Sequence, residues 1–119
     1  MRVGMDKGSH IERDGVSKEI GTINTILFTN ASLDLSALAA SFITMTEAKN
    51  IALQELEVRS SYNPEWLATG TGTDQIIVVS GSDERCTYVG GHSKIGELMA
   101  QAVTSTTMRA IKNDLKVAD

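Results

Sequence analysis

The sequence predicts an α/β (α+β) fold: a mixed or antiparallel sheet with long helices packed against it. Three observations carry that expectation. Two short β-branched runs, Thr22 to Thr29 and Gln75 to Val79, have the length and composition of strands. Two longer stretches, Leu35 to Glu57 and Ser93 to Asp114, repeat apolar residues at helical spacing. The elements follow one another as strand, helix, strand, strand, helix, which suits helices laid on a sheet. At 119 residues the chain makes one domain at most, 1–119, and is long enough to bury a core without staples.

Residues 1 to 21 are polar and glycine-punctuated and read as a long surface loop, with His10 a solvated loop histidine. In the first strand, alternation sets Thr22, Asn24, Ile26 and Phe28 against Ile23, Thr25, Leu27 and Thr29. Each side mixes polar and apolar residues, so Asn24 either faces a site or bonds a neighbouring backbone group. Asp34 or Ser32 caps the first helix, whose stripe is Leu35, Leu38, Phe42, Met45, Leu53 and Leu56. Thr46 and Lys49 fall inside that stripe and Glu47 well outside it. A lysine on a buried face must find a partner or snorkel out, because an unpaired buried charge is costly.

Pro64, the only proline, lies in a polar link before Trp66 and Leu67. Ala68-Thr69-Gly70-Thr71-Gly72-Thr73-Asp74 follows and opens directly into the second strand. Glycine lets backbone N–H groups come close to a ligand, and the threonines add hydroxyl donors and acceptors. Asp74 sits where loop becomes strand, as a working carboxylate or as a solvated acid in a turn. Gly81 to Arg85 is a charged turn consistent with a hairpin, and Cys86 to Val89 the third strand. Gly90-Gly91-His92-Ser93-Lys94 then ends that strand and starts the second helix, with Ile95, Leu98, Met99, Ala102 and Thr106 on its inner face. His92 at a helix N-terminus either caps it or acts there. The exposed N–H groups there suit an oxyanion.

Composition excludes several classes. A net charge of −4 and 4% aromatics speak against a nucleic-acid surface. One cysteine, Cys86, makes no internal disulfide, and no run is apolar and long enough for a leader or a membrane span. The expected setting is cytoplasmic, with no membrane partner.

Five blocks carry a resemblance: Gly21-Thr-Ile-Asn-Thr-Ile-Leu27, Thr44-Met-Thr-Glu-Ala-Lys49, Ala52-Leu-Gln-Glu-Leu56, Ala68 to Asp74, and Tyr88-Val-Gly-Gly-His-Ser-Lys-Ile-Gly-Glu-Leu98. In order and spacing they resemble the adenosylcobinamide amidohydrolases of corrinoid salvage, from about Arg2 to Ala110. The chain resembles the C-terminal half of that longer family domain, and Gly91 and Ser93 depart from its pattern. The resemblance implies hydrolysis of the amide in adenosylcobinamide that joins the corrin ring's propionyl side chain to aminopropanol, giving adenosylcobyric acid and 1-amino-2-propanol. It implies no required cofactor, the cobalt corrinoid being the substrate.

Amide hydrolysis needs a base for water, donors for the oxyanion and an acid for the departing amine. The candidates are Asp74 or His92 as base and Glu47 or Glu97 as acid or orienting group. Asn24, Thr46, Lys49, Thr69, Gly70, Thr71, Gly72, Thr73, Gly91, Ser93 and Lys94 are the candidate substrate contacts. No HxxxH or CxxC spacing marks a metal site. The alternatives are a non-catalytic module binding corrinoid or a phosphorylated ligand, and an inactive fragment that needs a partner half. A half-length match also leads one to expect a homo-oligomer or a missing N-terminal half.

Overall fold

The structure, a computed structural model, describes residues 21–117. The surface loop expected over residues 1–20, with His10, lies outside the described residues. The elements are β1 (Asn24–Phe28), β2 (Ser32–Leu33), α1 (Leu35–Glu55), β3 (Gln75–Val79), β4 (Arg85–Cys86) and α2 (Lys94–Val117). The α/β class expected from the sequence is the class observed.

The pairing refines that expectation. β1 pairs parallel with β3, Asn24 opposite Gln75 through Phe28 opposite Val79. β2 pairs parallel with β4, and the antiparallel element is a single bridge between Arg59 and Leu67. A parallel pair needs a crossover, and α1 supplies it between β1 and β3. The hairpin expected over Gly81 to Arg85 does not form. That segment is bound instead to the turn after β1. Gly81 N–H donates to Ala31 O (2.8 Å), Asp83 N–H to Asn30 O (2.9 Å), and Glu84 O accepts from Ser32 N–H (3.0 Å). A Cβ on Gly81 would overlap the Asn30 carbonyl, so glycine is required for this approach. The strand expected over Cys86 to Val89 shortens to Arg85–Cys86. Val89 is buried, and its carbonyl accepts from Thr44 Oγ1 at 2.9 Å.

Asp34 caps α1, its Oδ1 accepting from Ala37 N–H (3.0 Å) and Ser36 Oγ (2.8 Å). The helix closes at Leu56, whose N–H donates to Ala52 O, and Glu57 leaves with a positive φ of 50°. Its buried face is Ala37, Ser41, Thr44, Met45, Ala48, Ala52 and Leu53. The expected leucine stripe is thus only partly correct: Leu35 is 84% and Phe42 46% exposed. Small residues win the inner face because α2 packs closely there. Thr104 Oγ1 on α2 donates to Ala48 O on α1 at 3.2 Å. On α2 the buried line is Met99, Val103, Thr107 and Ile111, an i, i+4 series. Leu98, Ala102 and Thr106, expected inside, are exposed.

The core joins Leu33, Ala37, Met45, Ala48, Val89, Met99 and Val103. Leu27, Ile76 and Val78 pack on it from one side of the β1–β3 pair. Gly96, in the first turn of α2, is buried, and a Cβ there would overlap the carbonyl oxygens of Val89 and Gly90. Gly96→Ala is therefore expected to destabilise the chain by about 1–3 kcal/mol, the usual cost of overpacking. Urea unfolding checks this as a lower midpoint at unchanged m-value.

Candidate functional site

The residues singled out in the sequence separate into two groups at opposite ends of the parallel pair. The first is the glycine loop, at the N-terminal ends of β1 and β3. Lys49 Nζ lies 2.6 Å from Asp74 Oδ2, with side-chain exposures of 12% and 14%. Lys49 therefore finds a partner rather than snorkelling. Thr71 N–H donates to the same oxygen (3.1 Å), and Thr71 Oγ1 (2.6 Å) and Ile23 N–H (3.0 Å) donate to Oδ1. Thr73 N–H donates to Thr71 Oγ1 at 3.3 Å, and Thr22 Oγ1 donates to Thr73 O at 2.9 Å. Gly70 has φ +146°, and a Cβ on it would collide with Asp74 and Lys49.

Asp74 thus receives four donors and ties the loop, the start of β1 and α1 together. The Thr71 and Thr73 N–H groups, in the loop whose backbone the sequence offered to a ligand, bond within the loop instead. Burial is the largest single influence on the Asp74 carboxyl and pushes its pKa up. The hydrogen bonds from Lys49 and Thr71, with the lysine charge, outweigh burial and hold it below the usual carboxylate value. Such a carboxylate is a weak base and a strong anchor. Because the folded pKa is the lower one, its stabilisation is complete above the unfolded value near 3.8 and is lost as pH falls through the folded pKa. The urea midpoint should therefore fall below about pH 4, and Asp74→Asn should flatten that acid limb.

The second group lies at the other end, where β1 and β4 finish. Here a cavity of about 810 Å³ opens among Phe28, Asn30, Asp83, Tyr88, His92 and the first turns of α2. In parallel sheets, ligands bind outside the carboxyl ends of the strands. Ser93 caps α2: its Oγ accepts from Gly96 N–H (3.1 Å) and donates to Gly90 O (2.8 Å). That tight turn presents His92, whose ring lies close over the Cα of Gly90 and 6.0 Å, centroid to centroid, from Tyr88. Lys94 pairs with Glu97 at 2.8 Å on the exposed side of α2. Asn30 Nδ2 donates to Asp83 Oδ2 at 3.0 Å, fixing that carboxylate at the cavity wall.

His92, Ser93 and Lys94 therefore line the cavity, with Gly91 beside them and Glu97 one turn along α2. Lys49, Gly70, Thr71, Thr73 and Asp74 form the loop anchor, with Thr69 and Gly72 in the same loop and Asn24 opposite Gln75 next to it. Thr46 is half-buried on α1, and Glu47 is exposed there. Asp74 and His92 are not brought together: the length of β1, about 13 Å at ~3.3 Å per residue, lies between their ends. Sequence reading missed Asn30, Asp83 and Tyr88. The signal was their place after strand ends, which matters only once the pairing is known to be parallel. Among the described residues, no three His, Cys, Asp or Glu side chains converge as metal ligands would. No helix there is long and apolar enough to cross a membrane.

The chain is thus an α/β unit with a histidine-bearing cavity at the carboxyl ends of parallel strands, where α/β folds commonly hold ligands. Comparison narrows the class. The sequence model of the adenosylcobinamide amidohydrolase family matches residues 1–119, and the chain belongs to that family. It is 45% identical over 126 residues to an uncharacterized protein of Methanocaldococcus jannaschii, covering 96% of this chain and 49% of that one. It is 41% identical over 86 residues to an adenosylcobinamide amidohydrolase of Methanosarcina mazei, covering 72% of this chain and 38% of that one. The chain thus spans about half the length, or less, of these curated relatives. No solved structure matches it.

Proposed function

We propose that the chain takes part in hydrolysing the aminopropanol amide of adenosylcobinamide, giving adenosylcobyric acid and 1-amino-2-propanol, and that the cavity beside His92 receives the amide. Membership of the family supports the reaction. The observation that carries the assignment of the site is the cavity itself, open at strand ends and bearing His92 next to the start of α2. Its size falls within the ~300–1,000 Å³ of ordinary ligand pockets. Phe28, Tyr88 and Leu98 offer apolar surface to the edge of a corrin ring.

In this reading, a water oxygen attacks the amide carbonyl carbon while His92 takes its proton. The negative charge that develops on the carbonyl oxygen meets the N-terminus of α2, where the first N–H groups have no acceptor within the helix. The imidazolium then returns its proton to the amide nitrogen as the C–N bond breaks. The amine leaves, and the carboxyl stays on the corrinoid. Ser93 holds the turn in place, and Glu97 positions Lys94. Asp74 and Lys49 serve by holding the far end of the sheet.

The test is direct. Adenosylcobinamide is incubated with the chain, alone and together with the part of a relative that it does not match, and both products are followed by mass spectrometry. Release of adenosylcobyric acid and 1-amino-2-propanol in equal amounts supports the reading. Tight binding with no release in either case replaces it with a non-catalytic corrinoid-binding module.

A further inference from the structure

The face of the β1–β3 pair turned away from the helices is apolar beyond the Asn24–Gln75 pair, and the described residues leave it uncovered. Ile26 is 57%, Phe28 75%, Ile77 54% and Val79 40% exposed. The register places Ile26 opposite Ile77 and Phe28 opposite Val79, so the four side chains form one contiguous patch. Parallel sheets are as a rule covered on both faces, yet α1 and α2 lie on one. Among the described residues, β1 and β3 pair only with each other, so each also presents an open edge.

Two further facts say what fits there. The curated relatives run to about twice the length of this chain or more, and the chain matches only part of each. Phe28 lies both on the patch and in the cavity wall, so a layer on the patch would border the cavity. We infer that this face docks a polypeptide segment equivalent to the part of the relatives that the chain does not match, joined to it or separate. That segment lays an apolar surface on Ile26, Phe28, Ile77 and Val79, extends the sheet by pairing along an open edge, and roofs the cavity over Phe28. The roofing rests on the proposed function; the docking does not.

The experiment produces the unmatched part of the Methanocaldococcus jannaschii relative as a separate polypeptide and mixes it with the full chain. The expected result is an equimolar complex in sedimentation velocity at micromolar concentration. Amide exchange over residues 24–29 and 75–80 should slow at least about tenfold on mixing. Ile77→Glu should weaken the complex by about tenfold or more. It should leave the thermal melt of the free chain near wild type, because Ile77 already stands half in water there. Absence of a complex overturns the inference. So does a free chain in which the amides of 24–29 and 75–80 that are not bonded between β1 and β3 are already protected, as a monomer covered by its own residues or as a homodimer covered by a second copy. Complex formation without product release would uphold the docking and count against the hydrolytic reading.

Discussion

Under the proposed reaction, His92→Gln is expected to lower kcat for adenosylcobinamide by about a hundredfold or more with little change in KM. That is the usual scale for losing a group that moves a proton in the transition state. His92 is exposed and touches Gly90 and the exposed ring of Tyr88, so the substitution should shift stability by no more than about 0.5 kcal/mol. A fall in kcat is then not a folding defect. Steady-state kinetics with urea unfolding on the same preparation separates the two. Wild-type kcat in the variant would remove His92 from the mechanism and leave Asp83 and Glu84, the carboxylates of the cavity wall, as the groups to test. Because Asp74 lies at the other end of β1, Asp74→Asn should leave kcat within a few-fold of wild type. The double variant should behave like His92→Gln alone, with no sign of two groups acting as a unit.

Asp74→Ala carries the largest expected loss of stability, about 3 kcal/mol, the low end of the range for breaking a buried ion pair from one side, because this pair is only partly buried. It strips partners from Lys49 Nζ, Ile23 N–H, Thr71 N–H and Thr71 Oγ1 together. Against a total of about 5–15 kcal/mol for a domain, the variant would be marginal at room temperature. Lys49→Met should cost less, about 1–3 kcal/mol, because the carboxylate keeps three donors and a methionine fills the space of the lysine stem. The order of urea midpoints, wild type above Lys49→Met above Asp74→Ala, checks the account. Equal midpoints for wild type and Asp74→Ala would mean that the loop is not anchored as described.

The strands and helices were legible because β-branched runs and helical periodicity are local signals. Both long helices fall close to where spacing placed them, and Asp34 caps α1 as its chemistry suggests. Which face each helix buries was not legible. Apolarity singled out Leu35 and Phe42, whereas close approach of α2 selected Ala37, Ser41 and Ala48 for their small size. Strand partners were not legible either, since Gly81 to Arg85 has hairpin composition and only its bonds to Asn30 and Ala31 reveal the crossing.

The candidate site divided along the same line. Glycine and threonine beside an acid suit a ligand loop and an internal anchor equally well. The donors around Asp74, with Lys49 coming from a separate helix, show the anchor, which the sequence alone did not. His92 stands out in the sequence because a glycine pair before a helix start is itself a local feature. Asn30 and Asp83 were missed because their meeting depends on two turns 53 residues apart.

The central claim is that the substrate binds at the carboxyl ends of the strands, beside His92, and not at the glycine loop. Titrating isotope-labelled chain with adenosylcobinamide and following backbone amide resonances tests it most directly. The account predicts saturable shifts at Asn30, Tyr88, His92 and Ser93, with Gly70 to Asp74 unmoved. Shifts confined to Gly70 to Asp74, with the cavity amides silent, would contradict it.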